Sequence, residues 1–494
     1  MSVAMSLIRT TMSIVAMFLA ALVVCRHEVW AADPEKKPEA KSPAPAASDE
    51  PSAESLPENV SGPRDLLRFY EIDKSHFARL TDGNLWQEGE NELLFRIMFR
   101  LRDFRLMDIE RWARPLVSAT ELAAKPDDAR GEFFRLQGRV TSVTLCQPLS
   151  EIVDRFEMKP YYRCDLLLGE QRQVAIVFTQ TIPQAWKPDQ PIDERAGGIG
   201  MFLKLASADA QQPTPIFVAP RVAWYPNTVL GDLGMDYGLF DDLKPEEPDG
   251  QQGHAVQSKL RSPRDLDALR LTSRTAECFY QMLAAAKRAR PGELAKMATD
   301  TLQKTGQKSF SVVPLFNQPD KQHGQLVVLS GTARLAIPVR VSEDDILARF
   351  GLKEYYQLFL FTDDSQGNPL VVCVPRLPKG MPSGEDRSYA EHVTVAGFFF
   401  NTWAYRNRDS GQGQGQSHWQ LAPLLIGQEP VWHPRPAKST NLVSSVVFGV
   451  LFVLAFGGIC VALWISRRGD KEFREKVLAN QASSSPVFFN DRDE

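Results

Sequence analysis

Arg155-Phe156-x-x-Lys159-x-Tyr161-Tyr162 recurs further along the chain as Arg349-Phe350-x-x-Lys353-x-Tyr355-Tyr356. Other matches keep the same order around this pair. Pro63-Arg64-Asp65-Leu66 recurs as Pro263-Arg264-Asp265-Leu266, Gly138 as Gly331, Gly200 as Gly397, Ala219-Pro220 as Ala422-Pro423, and Trp224-x-Pro226 as Trp432-x-Pro434. Solenoid repeats run to about 20–50 residues and cannot bury a core singly, whereas each stretch here is long enough to close its own. The pattern predicts two tandem domains, 62–230 and 262–436, joined by an acidic linker, 231–261.

Each copy opens as helix and continues as strand, an α+β order. Leu93, Leu94, Ile97, Met98 and Leu101 recur at helical spacing, as do Cys278, Phe279, Met282, Leu283 and Ala286. Val327, Leu329, Gly331, Ala333, Leu335 and Ile337 alternate without a slip, the period of a half-buried strand. Phe134, Leu136, Gly138 and Val140 alternate likewise and then change phase to Val143 and Leu145, which predicts a β-bulge. A short amphipathic helix follows (Glu151–Phe156, Asp345–Phe350). Next come strands Tyr162–Leu168 and Val174–Phe178, matched by Tyr356–Thr362 and Leu370–Val374. After Pro183 or Pro378 an irregular stretch leads to a strand through Gly200 or Gly397, then a last strand ending at the Trp-x-Pro. A glycine within the first and fourth of five strands suits the tight bends of a small barrel, so each copy resembles a five-stranded OB-like barrel with a helical segment before it.

Carried by these duplicated motifs, the whole chain is similar to the duplicated envelope membrane proteins of planctomycete-type bacteria. The resemblance implies an address and an architecture and supplies no activity.

Both ends of the chain concern membranes. Arg9, the apolar run Met12–Cys25 and the small residue Ala31 read as a signal peptide, 1–31. Residues 32–61, rich in Pro and Ala, cannot bury enough surface to offset chain entropy and read as a disordered linker. Leu442 to Ile465 carries no charge over 24 residues, enough to span a bilayer as one transmembrane helix. Arg435 and Lys438 precede it, whereas Arg467, Arg468, Lys471, Arg474 and Lys476 follow it. That bias assigns 466–494 to the cytoplasm and the bulk of the chain to the outer side of the inner membrane. The tail from Asn480 to Ser485 has no core-forming residue and reads as disordered. With 57 basic and 61 acidic residues, a net charge of -4, nothing marks nucleic acid as a partner.

Four cysteines lie outside the signal and membrane segments. Cys146 and Cys164, ending one strand and lying in the next, form either a disulfide or two buried thiols, and Cys278 and Cys373 read as core. No metal is expected, because no His or Cys pair has ligand spacing. Asp232, Asp236, Asp241, Asp242, Glu246, Glu247 and Asp249 match no calcium loop and read as a solvated linker. Gly411 to Gln416 lacks the Lys and Ser/Thr of a phosphate loop and reads as a hairpin connection. No nucleophile elbow occurs, so no catalytic residue and no cofactor is assigned.

The best candidate interaction surface is the aromatic strand of Phe398, Phe399, Phe400, Trp403 and Tyr405, with core packing as its ordinary alternative. The sequence reads most simply as a non-enzymatic, membrane-anchored scaffold with an envelope protein as partner. A cell-wall polymer hydrolase, a glycan binder and an oligonucleotide binder are the alternatives.

Overall fold

A computed structural model describes residues 60–243, 271–407, 418–434 and 442–482, apart from a few short gaps and most of 149–157. The signal peptide, nearly all of the Pro/Ala-rich linker, the Glu151–Phe156 helix apart from Val153 and Phe156, the Pro263 motif and the Gly411–Gln416 loop lie outside the described residues. The chain is mixed α+β, with one sheet of seven strands and one of six.

The first sheet is built on β1 (Phe133–Cys146), β2 (Tyr161–Leu168), β3 (Gln173–Thr179), β4 (Glu194–Ser207) and β5 (Thr214–Ala219). β1 pairs antiparallel with β2 and β2 with β3. β3 pairs parallel with β5, β5 antiparallel with β4, and β4 returns to pair with β1. The second sheet uses β6 (Leu326–Arg340), β7 (Glu354–Phe361), β8 (Leu370–Val374), β9 (Glu391–Asn407) and β10 (His418–Gly427) in the same succession of partners. The parallel pair there is β8 with β10. Two-residue strands at Arg114–Pro115 and Ala223–Trp224 extend the first sheet, and Val431–His433 extends the second.

The first strand of each sheet pairs with one neighbour along its first half and another along its second, so it must coil. A bulge between Val140 and Ser142 provides the bend in β1, at the place where the apolar phase shifts in sequence. In β6 the unbroken alternation from Val327 to Ile337 proves misleading. The register slips between Ala333 and Leu335, burying Ala336 and leaving Leu335 half-buried. Gly138 and Gly331 lie where the neighbouring strand passes closest. A Cβ would sit 2.1 Å from the Leu167 carbonyl oxygen at Gly138 and 2.4 Å from that of Phe361 at Gly331, so only glycine fits either place.

Not every sequence match is a structural one. Phe202 faces Phe217 as Phe399 faces Leu425, which sets Ala219 level with Gly427 and not with Ala422. The Trp match does hold: Trp224 lies opposite Ala196 as Trp432 lies opposite Val393.

Each sheet has an apolar cluster on both faces. On one face of the first, Val140, Val143, Cys164, Leu166, Phe202 and Phe217 pack together. On the other, Phe133, Phe178, Met201 and Val218 receive the helix Asn91–Arg100 through Leu93, Leu94, Ile97 and Met98. In the second sheet Val327, Leu358, Leu360, Phe399 and Leu425 form one cluster. Phe398, Phe400, Leu424 and Ile426 receive the helix Ser273–Arg288 through Phe279, Met282 and Leu283 on the opposite face.

The segment after the first sheet corrects the expected linker. Residues 231–243 do not run free. Leu230, Met235, Leu239, Phe240 and Leu243 are buried in the same cluster as Phe279 and Phe398, so the two halves share a core. The reason is apolar content: this stretch has enough large side chains at turn spacing to offset its ordering. At the C-terminus a single helix runs from Leu442 to Ala482, reaching into the start of the stretch, 480–485, expected to be disordered, whose remaining residues lie outside the described ones. Its segment Val447–Ile465, mean hydropathy 2.5, is long and apolar enough to cross a membrane.

Candidate functional site

Where the halves meet, a cleft of about 510 Å³ opens between β1, β4, the turns after β5 and two helices, Leu106–Trp112 and Ser273–Arg288. That volume falls within the roughly 300–1,000 Å³ of small-molecule sites. Its walls are mixed, more apolar than polar, with arginines and carboxylates interleaved along them.

Arg349, the first residue of the repeated motif, holds one corner. Its Nε donates to Glu110 Oε1 at 2.9 Å, while Nη1 and Nη2 reach the two oxygens of Glu277 at 2.8 and 2.5 Å. Asp345 accepts from Nη1 at 2.9 Å, one helical turn away on Asp344–Phe350. The Arg349 side chain is only 4% exposed. Burial works against its charge, but the hydrogen bonds and charges of these carboxylates outweigh it and hold the pKa above the ordinary arginine range. Glu110 belongs to the first half and Glu277 and Asp345 to the second, so one guanidinium ties the halves together.

Across the cleft, Arg195 donates to the carbonyls of Tyr225 and Pro226 and to Asp232 Oδ1. Arg221 Nε lies 3.1 Å from Asp236 Oδ2 but off the hydrogen-bond line, an ionic contact. Asp236 Oδ1 accepts from the backbone N–H of Trp224 and Gly238, both at 2.9 Å. Burial pushes its pKa up, against Arg221 and those N–H groups. Asp242 pairs with Arg221 and Arg274, and Asp241 accepts from the Gln184 N–H. Asp236, Asp241 and Asp242 are therefore structural counterions and N–H acceptors, and the exposed Asp232 is tied back to Arg195, so these four are not charges of a free linker. Glu246, Glu247 and Asp249 lie outside the described residues. Tyr225 leans on Gly197, where a Cβ would meet the Leu136 carbonyl at 2.6 Å and the Tyr225 ring at 3.3 Å. Burial, with Asp236 adding, pushes the Tyr225 phenol up to about 12.

The aromatic strand belongs to the interior. Phe398, Phe399 and Phe400 are 0%, 0% and 3% exposed, a correction to their reading as a surface. Strand alternation sends Phe399 to one apolar cluster and its neighbours to the other, so both faces are covered. Trp403 and Tyr405 pack half-buried against the helix-facing cluster, and Tyr405 donates to Gln420 at 2.6 Å.

The proposed disulfide is also corrected. Cys146 faces Tyr161 and Cys164 faces Val143, a three-residue offset that places the thiols in clusters on opposite faces of the sheet. Three residues span roughly 10 Å of strand, beyond the reach of a bridge. Both are free thiols, as are Cys278 and Cys373. Among the described residues no three His, Cys, Asp or Glu side chains gather as a metal site.

Sequence reasoning singled out Arg349 through its motif and had no signal for the cleft, whose lining comes from segments far apart in the chain. No protein-family model and no curated protein matches the chain. Seven chains of solved structures match it. One, from a structure titled "Molecular basis for abrogation of activation of pro-inflammatory cytokines", aligns over 61% of this chain and 92% of its own at 6% identity. The TM-score is 0.12, a likeness too loose to bear on fold or function.

Proposed function

We propose that the chain is a membrane-anchored interaction protein of the cell envelope, made of two tandem OB-like units and recognising its partner at the cleft between them. Several correspondences support the duplication. Five strands in a cycle, with the third and fifth parallel, are the OB connectivity, and both sheets pair in that cycle. The bulge at Val140/Ser142 in β1 corresponds to Ala333/Leu335 in β6, and Phe202/Lys204 in β4 corresponds to Phe399/Asn401 in β9. Trp224 Nε1 donates to Glu194 as Trp432 Nε1 donates to Glu391. In this reading the apolar C-terminal helix anchors the chain in the inner membrane. The signal peptide and the basic residues after the span orient the two units outward.

The observation that carries the interaction reading is the cleft itself: a ligand-sized opening with charged groups set in a partly apolar wall, held by a shared core and by Arg349. A photo-crosslinking residue at exposed Gln137, in the cleft wall, tests it in intact cells, with Met297 on an outer helix as control. One recurrent adduct from position 137 and none from 297 is expected. Equal adducts from both positions, or none from 137, defeat the reading.

A further inference from the structure

The carboxylates lining the cleft are each engaged by an ion pair. Glu110 and Glu277 share Arg349, Asp232 pairs with Arg195, and Asp236 with Arg221. Two guanidinium groups are not. Among the described residues Arg135 donates only to the Glu110 carbonyl oxygen, at 2.9 Å through Nη2, and no partner there uses Nε or Nη1. Arg288, outside the lining but against the Leu233–Gly234 turn, donates among the described residues only to the Leu233 carbonyl, at 2.9 and 2.6 Å. Among the described residues neither has a carboxylate within ion-pair distance, so although the lining charges sum to zero, the free N–H donors are on these two groups. The Tyr225 hydroxyl has no hydrogen-bond partner among the described residues and carries its proton throughout the physiological range. A cation would find every carboxylate taken, whereas an anion would find a free guanidinium edge and a phenol O–H.

We infer that the cleft binds a small organic acid, its carboxylate received by Arg135 and Tyr225 and favoured electrostatically by Arg288. The inference rests on reading the cleft as the recognition site. An arginine edge offers two parallel N–H donors that match the two oxygens of a carboxylate. The volume of about 510 Å³ admits a small molecule.

Citrate is the probe, titrated calorimetrically into the full-length protein in detergent at low salt, with uncharged trimethyl citrate and inorganic phosphate as comparisons. Citrate binding is expected, with trimethyl citrate at least tenfold weaker. Arg135→Gln should weaken citrate at least tenfold and Tyr225→Phe a few-fold, with Arg135→Lys intermediate. Arg135 and Arg288 are exposed, so neither variant should disturb folding, which the unfolding temperature checks. Arg288→Gln gives a second reading. Equal binding of citrate and its ester, phosphate bound tenfold more tightly than citrate, or affinity unchanged in both Gln variants overturns the inference. The position-137 adduct separates the two failures. An adduct without citrate binding discards the acid and keeps the interaction protein, and loss of both discards the cleft as a site.

Discussion

Arg349 Nε stands 2.9 Å from Glu110 Oε1, joining a helix of the second half to a helix of the first, while the rest of the same guanidinium grips Glu277. Removing the cation leaves Glu110 and Glu277 facing each other in a partly buried corner. Arg349→Met should cost about 3 kcal/mol, as for other buried pairs broken from one side. Glu110→Gln should cost under about 1 kcal/mol, because that partner is accessible to water. Urea unfolding of the full-length protein compares them, and an Arg349→Met cost no larger than that of Glu110→Gln would deny Arg349 its role as a tie.

Lys204 and Glu90 form a second buried pair, with both Glu90 oxygens 2.7 Å from Nζ and side chains 0% and 6% exposed. Lys204→Met alone should cost about 3–5 kcal/mol by stranding Glu90. Lys204→Met with Glu90→Leu should recover most of that loss. A double variant as unstable as the single one would show that the pair does more than neutralise itself.

Asp236 gives a pH dependence of known sign. Its folded pKa is raised above the ordinary 3.8, so the folded chain holds a proton that the unfolded chain releases. The stability contributed by this group is present below that value and falls as pH rises through the raised one. Unfolding free energies measured from pH 4 upward should fall less steeply in Asp236→Asn than in the parent. Parallel slopes would mean that Asp236 ionises normally in place.

The thiols should resist alkylation. Burial pushes Cys164 up to about 12 and raises Cys278, Cys373 and half-buried Cys146 above the ordinary thiol range. At pH 8 iodoacetamide should label Cys146 slowly and the other three only on unfolding. A peptide map under non-reducing conditions should contain no 146–164 linkage.

If the halves are copies, equivalent changes should act equally. Gly138→Ala and Gly331→Ala each force a Cβ into a neighbouring carbonyl, and each should cost on the order of 2–4 kcal/mol. Costs differing by more than about twofold would argue against an equivalent bend.

Several features were legible in sequence because they are local. The Leu93–Met98 and Cys278–Ala286 stripes became buried helix faces, and the phase change after Val140 became a bulge. The Leu370–Val374 strand has the same bounds in sequence and in structure. Other features were not legible. The bulge in β6 is silent, because Ala333, Leu335 and Ala336 are all apolar and the pattern reads the same with or without a slip. Ala219-Pro220 matched Ala422-Pro423 by composition, while strand pairing aligns Ala219 with Gly427. The acidic stretch read as a linker because its arginine partners precede it in separate segments, Arg195 in a strand and Arg221 in the connection after β5.

By itself the sequence determined the α+β class, the order of the strands along the chain, the two glycines where a neighbouring strand passes closest and the apolar terminal helix. Each of these follows from the period of apolar residues or from a single residue's steric needs. Only the tertiary structure decided which aromatic residues are interior, which thiols are neighbours and where the cleft lies. Those depend on strand register and on which segment covers which face, and a shift of one residue reverses both without changing the composition.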